Sequence, residues 1–209
     1  MKKYITPVRV FVAISIGCVV AFLYALGAFD KDYSLTELKE NFNTKQAEIY
    51  ELKSYFNSIT PENKHIEIAF NGNRSLQRFV IRELDSVGNY KQEPLFSKWD
   101  LNINSSITDS AISTLGWTKE NLKTLKEKLD NANCIGIENS WGNVGNASTK
   151  IEFQRCGPCM YSFVVFDKPI PDNLKKDYND SCTYIMVNDR LVLEYGSGVY
   201  GKQCFYNMK

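Results

Sequence analysis

The spacing of apolar residues changes along the chain, and each spacing predicts a different kind of element. Residues 10–29 carry no charge. A helix of about 20 apolar residues spans a ~30 Å hydrocarbon core, so this run predicts a transmembrane signal anchor that contacts the lipid bilayer. Lys2 and Arg9 precede the run and Asp30 follows it. This asymmetry predicts a single-pass cell-membrane protein, with residues 1–9 in the cytoplasm and the C-terminal domain outside it.

Two other interpretations of the same run stay open. The small residues around 25–27 are compatible with cleavage by a signal peptidase, and Gly17-Cys18 is compatible with lipidation of Cys18. All three interpretations export the rest of the chain. The predicted extracytoplasmic location is therefore the same whichever of them holds.

Residues 30–60 predict a long amphipathic helix. Ser34 and Glu37 have the spacing of a capping box. Seven apolar residues then follow the a and d positions of a heptad repeat, and Lys45 is the one misfit: Leu35, Leu38, Phe42, Ile49, Leu52, Phe56 and Ile59. Two interpretations remain. The helix lies on its own domain, or residues 35–59 form a coiled-coil stalk that makes a homodimer.

Residues 61–209 predict an extracytoplasmic α+β domain. Short runs of alternating or β-branched residues indicate strands at 65–70, 77–84, 135–138, 149–155, 160–166, 183–187 and 191–195. Residues 118–131 predict a helix, because Leu122, Leu125 and Leu129 share one face and lysines the other. The expected fold is an antiparallel sheet of about five to seven strands covered by this helix, preceded by the transmembrane helix and the stalk-like helix.

Charge excludes one class of partner. The chain has 25 Lys and Arg against 24 Asp and Glu, a net charge of +1, and no basic run or stripe. Nucleic acid is therefore not an expected partner.

The string Cys156-Gly157-Pro158-Cys159 resembles the redox motif of thioredoxin-like oxidoreductases, and the resemblance covers these four residues only. In that family the first cysteine lies at a helix N-terminus, which lowers the pKa of its thiol. Residues 160–166 here are almost all β-branched or aromatic and favour a strand instead. Gly-Pro is also a turn dipeptide, so Cys156 and Cys159 are expected to face each other across a hairpin turn, as a candidate disulfide.

The remaining cysteines extend this picture. Cys182 and Cys204 lie on either side of the last hairpin and are candidates for a disulfide. This bond would close a loop of about 20 residues and stabilise the fold by about 3 kcal/mol. Cys134 is expected to be a free buried thiol.

No cofactor or metal is predicted. The chain has one histidine, His65, and no second C-x-x-C pair. The glycines at 196, 198 and 201 match a dinucleotide-binding string, but too few residues follow for the required helix.

A group of aromatic residues bears on function. Five aromatic residues in Gly- and Asn-rich segments are candidates for a binding surface for a protein or glycan: Trp141, Tyr195, Tyr200, Phe205 and Tyr206. The sequence thus favours a non-enzymatic binding protein over an enzyme. The alternative is a membrane-tethered thiol-disulfide oxidoreductase with Cys156 as nucleophile and Cys159 as resolving thiol.

Overall fold

The computed structural model describes residues 5–25, 29–85, 90–91, 93–140, 147–157, 159–197 and 201–205. Five helices lie in these residues: α1 Ile5–Ala25, α2 Leu35–Thr44, α3 Gln46–Ile59, α4 Ser106–Ser113 and α5 Lys119–Asn131. The strands are β1 Lys64–Asn71, β2 Ser75–Glu83, β3 Phe96–Asn102, β4 Gly136–Ser140, β5 Ser148–Cys156, β6 Cys159–Phe166, β7 Tyr184–Asn188, β8 Leu191–Ser197 and β9 Gly201–Lys202.

The predicted sheet of five to seven strands is too small. Eight strands pair antiparallel in the order β3-β2-β1-β4-β5-β6-β8-β7, and the short β9 pairs with β8. The predicted strands are all present, whereas β3 was missed. This strand lies at the sheet edge with most of its side chains exposed, so its sequence lacks the alternation that marks a half-buried strand.

The prediction of a transmembrane helix over residues 10–29 is wrong. Helix α1 ends at Ala25, and its first turns contain Thr6, Pro7 and Arg9. The uncharged part of the helix is therefore shorter than the ~20 residues that a hydrocarbon core requires. Nowhere in the described part of the chain is a helix both long and apolar enough to cross a membrane.

Of the two interpretations of residues 35–59, an amphipathic segment that lies on its own domain fits the structure, and a continuous coiled-coil stalk does not. The helix breaks into α2 and α3 at Lys45, the residue that interrupts the heptad pattern, where φ and ψ are −111° and 18°. Leu38, Ile49, Leu52 and Phe56 are fully buried against the chain's own sheet. The apolar stripe therefore belongs to the core of this domain and is not free to form a coiled coil.

The two faces of the sheet differ in what covers them. Helices α2 to α5 cover one face, here called the helix-covered face, and enclose a single large apolar core. Because side chains alternate along a strand, the residues between these core positions point to the opposite face. That face, here called the charged face, carries Glu67, Arg78, Glu138, Lys150, Glu152 and Glu194. At its β6-β8-β7 end it is covered by segment 167–183 through Ile170, Leu174 and Tyr178.

Candidate functional site

The Cys-Gly-Pro-Cys string forms the turn between β5 and β6. Cys156 pairs directly with Cys159 across the turn, and Gly157 has φ +58°, a conformation that favours glycine. Pro158 lies outside the described residues. The chain continues from Cys159 as strand β6, which confirms that residues 160–166 are extended. No helix therefore begins at this turn.

Both cysteines of this turn are free thiols. The Cys156 thiol donates a hydrogen bond to Asp32 Oδ1 over 2.7 Å. Burial and this carboxylate raise the pKa of Cys156 to about 11. At neutral pH only about one molecule in ten thousand then carries a thiolate, far less than an ordinary cysteine. Cys159 is buried at 8% exposure. The first cysteine of the turn, the nucleophile in the resembled family, is thus not activated.

Segment 30–33, which follows α1, lies on this turn. Gly157 N–H donates to Asp30 Oδ2 at 2.8 Å, and Tyr33 N–H donates to the Tyr161 hydroxyl at 3.3 Å. The Tyr33 ring contacts Phe153 and Tyr161 edge-on, with centroid distances of 5.0 and 5.7 Å. These contacts, with the Cys156–Asp32 hydrogen bond, hold the segment against β5 and β6.

A cleft of about 380 Å³ opens beside this segment. It lies between segment 30–33, the β1–β2 turn and the end of β5. Its lining combines charged, amide and aromatic side chains: Asp30, Lys31, Tyr33, Phe70, Asn71, Gly72, Gln77, Ile135, Gln154 and Arg155. Arg155 is half-buried, and burial lowers the pKa of its guanidinium. A pocket with a few convergent polar groups is the usual form of a binding site.

The charged face holds a second concentration of polar groups. Arg78 Nε lies 2.6 Å from Glu67 Oε1, and its Nη2 contacts Glu152 Oε1. Lys150 Nζ lies 2.9 Å from Glu194 Oε1. Glu152 is 3% exposed, and the Arg78–Glu152 pair lies over Gly136, where a Cβ atom would come within 2.9 Å of the Ile68 carbonyl oxygen. The absence of a side chain at position 136 leaves the room this ion pair needs.

Glu138 lies in the same network and has an unusual protonation equilibrium. Burial raises the pKa of its carboxyl to about 7, although Lys150 opposes the shift. His65 Nε2 lies 3.7 Å from Glu138 Oε1, while His65 Nδ1–H donates to the Asn139 carbonyl oxygen at 2.6 Å. Burial lowers the pKa of His65. A shifted carboxyl is compatible with acid–base chemistry, but Glu138 does not line the cleft described above, so this network is interpreted as structural.

The structure separates the predicted site residues. Cys182 and Cys204 form a disulfide, as predicted. Tyr195 and Phe205 lie in the apolar core at 8% and 3% exposure, and Tyr195 stacks on Tyr161 with ring centroids 4.3 Å apart. These two aromatic residues therefore pack the end of the sheet and do not present a binding surface. Trp141, Tyr200 and Tyr206 lie outside the described residues.

Sequence reasoning missed the cleft. Its residues come from four separate segments and carry no motif, so only their convergence in space reveals them. One weak signal was present: Asp30, Lys31 and Asp32 form a charged triplet beside the apolar segment 10–29.

Within the described ranges, no group of three or more His, Cys, Asp or Glu side chains is placed to hold a metal ion. Comparison with known proteins adds no relationship: no family model, curated protein or solved structure matches the chain.

Proposed function

We propose that this chain is a non-enzymatic binding protein, and that the cleft beside segment 30–33 receives its ligand, a peptide or a glycan. The observation that carries the proposal is the contrast between an open polar cleft and the Cys156 thiol next to it, whose pKa is raised. The cleft offers amide and charged groups for recognition. The Cys156 thiol, with a pKa of about 11, is a poor nucleophile for disulfide exchange.

The proposed site of action is an oxidising, extracytoplasmic compartment. The Cys182–Cys204 disulfide supports this location, because such bonds persist mainly where thiols are not kept reduced.

Binding is tested by NMR on the full ¹⁵N-labelled chain, titrated with a panel of short peptides and of neutral and acidic oligosaccharides. A ligand of the cleft should shift the amide resonances of Asn71, Gly72, Gln154 and Arg155. Gln154→Ala should weaken binding, whereas the matched variant Gln46→Ala, at an exposed position on α3, should not. A panel that leaves all cleft resonances unmoved contradicts the proposal.

A thiol-disulfide oxidoreductase is the second candidate, and one observation favours it: two free thiols face each other across the turn. An insulin-reduction assay separates the two functions. We expect no activity above that of dithiothreitol alone, and no difference between the natural chain and Cys156→Ser. Turnover that disappears in Cys156→Ser would replace the binding function with electron exchange.

A further inference from the structure

Arg155 is a half-buried cation at the cleft that has no anionic partner among the described residues. Arg78 contacts Glu67 and Glu152, Lys150 contacts Glu194, and Lys31 contacts Glu37 at 2.6 Å. Arg155 has no carboxylate within 4 Å among the described residues. A half-buried guanidinium has lost part of its hydration, so a partner is needed to compensate it.

The acidic groups around Arg155 are already engaged or more distant. Three carboxylates raise the pKa of Arg155 from beyond ion-pair distance: Glu152, Asp30 and Asp100. The nearby positive charge of Arg78 lowers it. Asp30 Oδ2 accepts the Gly157 N–H, and Glu152 pairs with Arg78. Among the described residues, no carboxylate therefore pairs with the Arg155 guanidinium, so it is available to an anionic ligand of the cleft.

Two of the three amide residues that line the cleft are glutamines. Gln77 and Gln154 are both half-buried, and neither side chain makes a hydrogen bond with another residue that the structure describes. Each amide offers one carbonyl acceptor and two N–H donors. A guanidinium beside two free amides matches a carboxylate that continues into a peptide backbone.

We propose that the cleft binds the C-terminal carboxylate of a peptide, with Arg155 as the bidentate anchor and Gln77 and Gln154 on the adjoining backbone. This assignment rests on the proposed binding function and names the ligand class of the same cleft. A planar guanidinium fits a carboxylate through two parallel N–H···O hydrogen bonds, which gives both affinity and orientation.

The aromatic lining argues for a peptide over a sugar, because a sugar would need an open ring face for stacking. Lys31 Nζ lies 4.6 Å from the centroid of the Tyr33 ring, and Lys126 Nζ lies 5.9 Å from that of Phe70. Phe70 is only 5% exposed. Phe70 is thus nearly closed to a stacked sugar ring, and Lys31 covers one face of the Tyr33 ring.

The test uses the full chain and three probes: N-acetyl-Ala-Ala with a free carboxylate, the same dipeptide as its C-terminal amide, and a disaccharide with one glucuronic acid. We expect the free acid to bind at least tenfold more tightly than the amide and the disaccharide. Arg155→Gln should abolish this preference. Arg155→Lys, which keeps the charge but not the fork, should retain part of it, and Lys123→Gln, at a 65% exposed side chain, should leave it unchanged.

The outcomes are distinguishable. Equal binding of acid and amide, or a preference that survives in Arg155→Gln, overturns the carboxylate anchor while leaving a binding cleft. Tighter binding of the disaccharide overturns the peptide class. If none of the probes, and no member of the wider panel, shifts the cleft resonances, the binding function itself fails. Thermal unfolding of each variant establishes that a lost preference does not reflect a lost fold.

Discussion

The two faces of the sheet bury different kinds of side chain and are stabilised by different interactions. The helix-covered face buries apolar side chains against helices α2 to α5, so its stability comes from area removed from water. The charged face buries ionised groups and depends on each of them finding a partner. The first arrangement tolerates small changes of shape, whereas the second fails when one member is removed.

The largest effect is expected on the helix-covered face. Phe56 is fully buried on α3 and contacts Trp117 edge-on, with ring centroids 6.4 Å apart. Phe56→Ala should lower the free energy of unfolding by about 3–5 kcal/mol, because it removes a large side chain and leaves a cavity. Urea denaturation measures the loss. Glu51→Ala is the control on the same helix: the Glu51 side chain is 67% exposed, so its removal should cost less than about 1 kcal/mol. Similar losses for both variants would contradict the assignment of the core.

The next effect concerns the charged face. Glu152→Ala leaves the Arg78 guanidinium partly buried with Glu67 alone, and should cost about 3 kcal/mol. Replacing both members, as Arg78→Met with Glu152→Leu, should cost less than Glu152→Ala, because no unpaired charge remains. A double-mutant cycle by chemical denaturation gives the comparison. If the double replacement costs as much as the two single ones together, the two residues are not coupled.

A smaller effect is expected at Gly136. Gly136→Ala places a Cβ atom within 2.9 Å of the Ile68 carbonyl oxygen and 3.0 Å of the Ala69 Cβ atom, and the backbone cannot move freely there. We expect a loss of about 1–3 kcal/mol from overpacking. Gly72→Ala, where a Cβ atom meets open space but φ is +63°, separates backbone strain from crowding. The proposed explanation is wrong if Gly136→Ala is neutral in denaturant unfolding.

The smallest effect is a dependence on pH. The pKa of Glu138 is raised to about 7 in the folded chain, above its usual value near 4.5, so the folded state holds the proton more tightly. Its favourable contribution is complete below pH 4.5 and is lost as the pH rises through 7. Between pH 6 and 8 this lowers the stability by about 1 kcal/mol.

His65 acts in the opposite sense, because its lowered pKa costs stability when the pH falls below 6.5. The comparison with Glu138→Gln isolates the carboxyl, since the His65 contribution is present in both chains. Between pH 6 and 8, the unfolding free energy of the variant should lose the decrease that Glu138 causes and keep only the opposite dependence that His65 causes. An unchanged pH dependence in Glu138→Gln would mean that Glu138 is ionised in the folded chain.

The sequence predicts the parts of the fold that repeat a local pattern. Three features were predicted correctly because a few neighbouring residues determine each of them. They are the capping box at Ser34 and Glu37, helix α5 and the hairpin at Cys156. Lys45 was recognised as a misfit in the heptad pattern. That the helix breaks there could not be predicted, because it depends on the sheet against which α2 and α3 pack. Strand β3 and helix α4 were missed, since tertiary pairing decides their state more than their own periodicity does.

The candidate site was far less predictable. Cys156 drew attention through its motif, yet the pKa of its thiol is set by burial and by Asp32, 124 residues away. Arg155 lies next to the motif, but no local feature reveals that it lacks a carboxylate partner. Such properties follow from which segments meet in space, and a single sequence does not disclose this.

The pairing of β1 with β4 has a consequence for the order of folding. Only three residue pairs join these strands, from Glu67–Glu138 to Ala69–Gly136, and they connect the β1-β2-β3 half of the sheet to the half that begins at β4. Hairpins close within microseconds, whereas this seam must close a loop of about 70 residues. We therefore expect the two halves of the sheet to form early and the β1–β4 pairing to form late. The formation of this pairing should then limit the folding rate of the sheet.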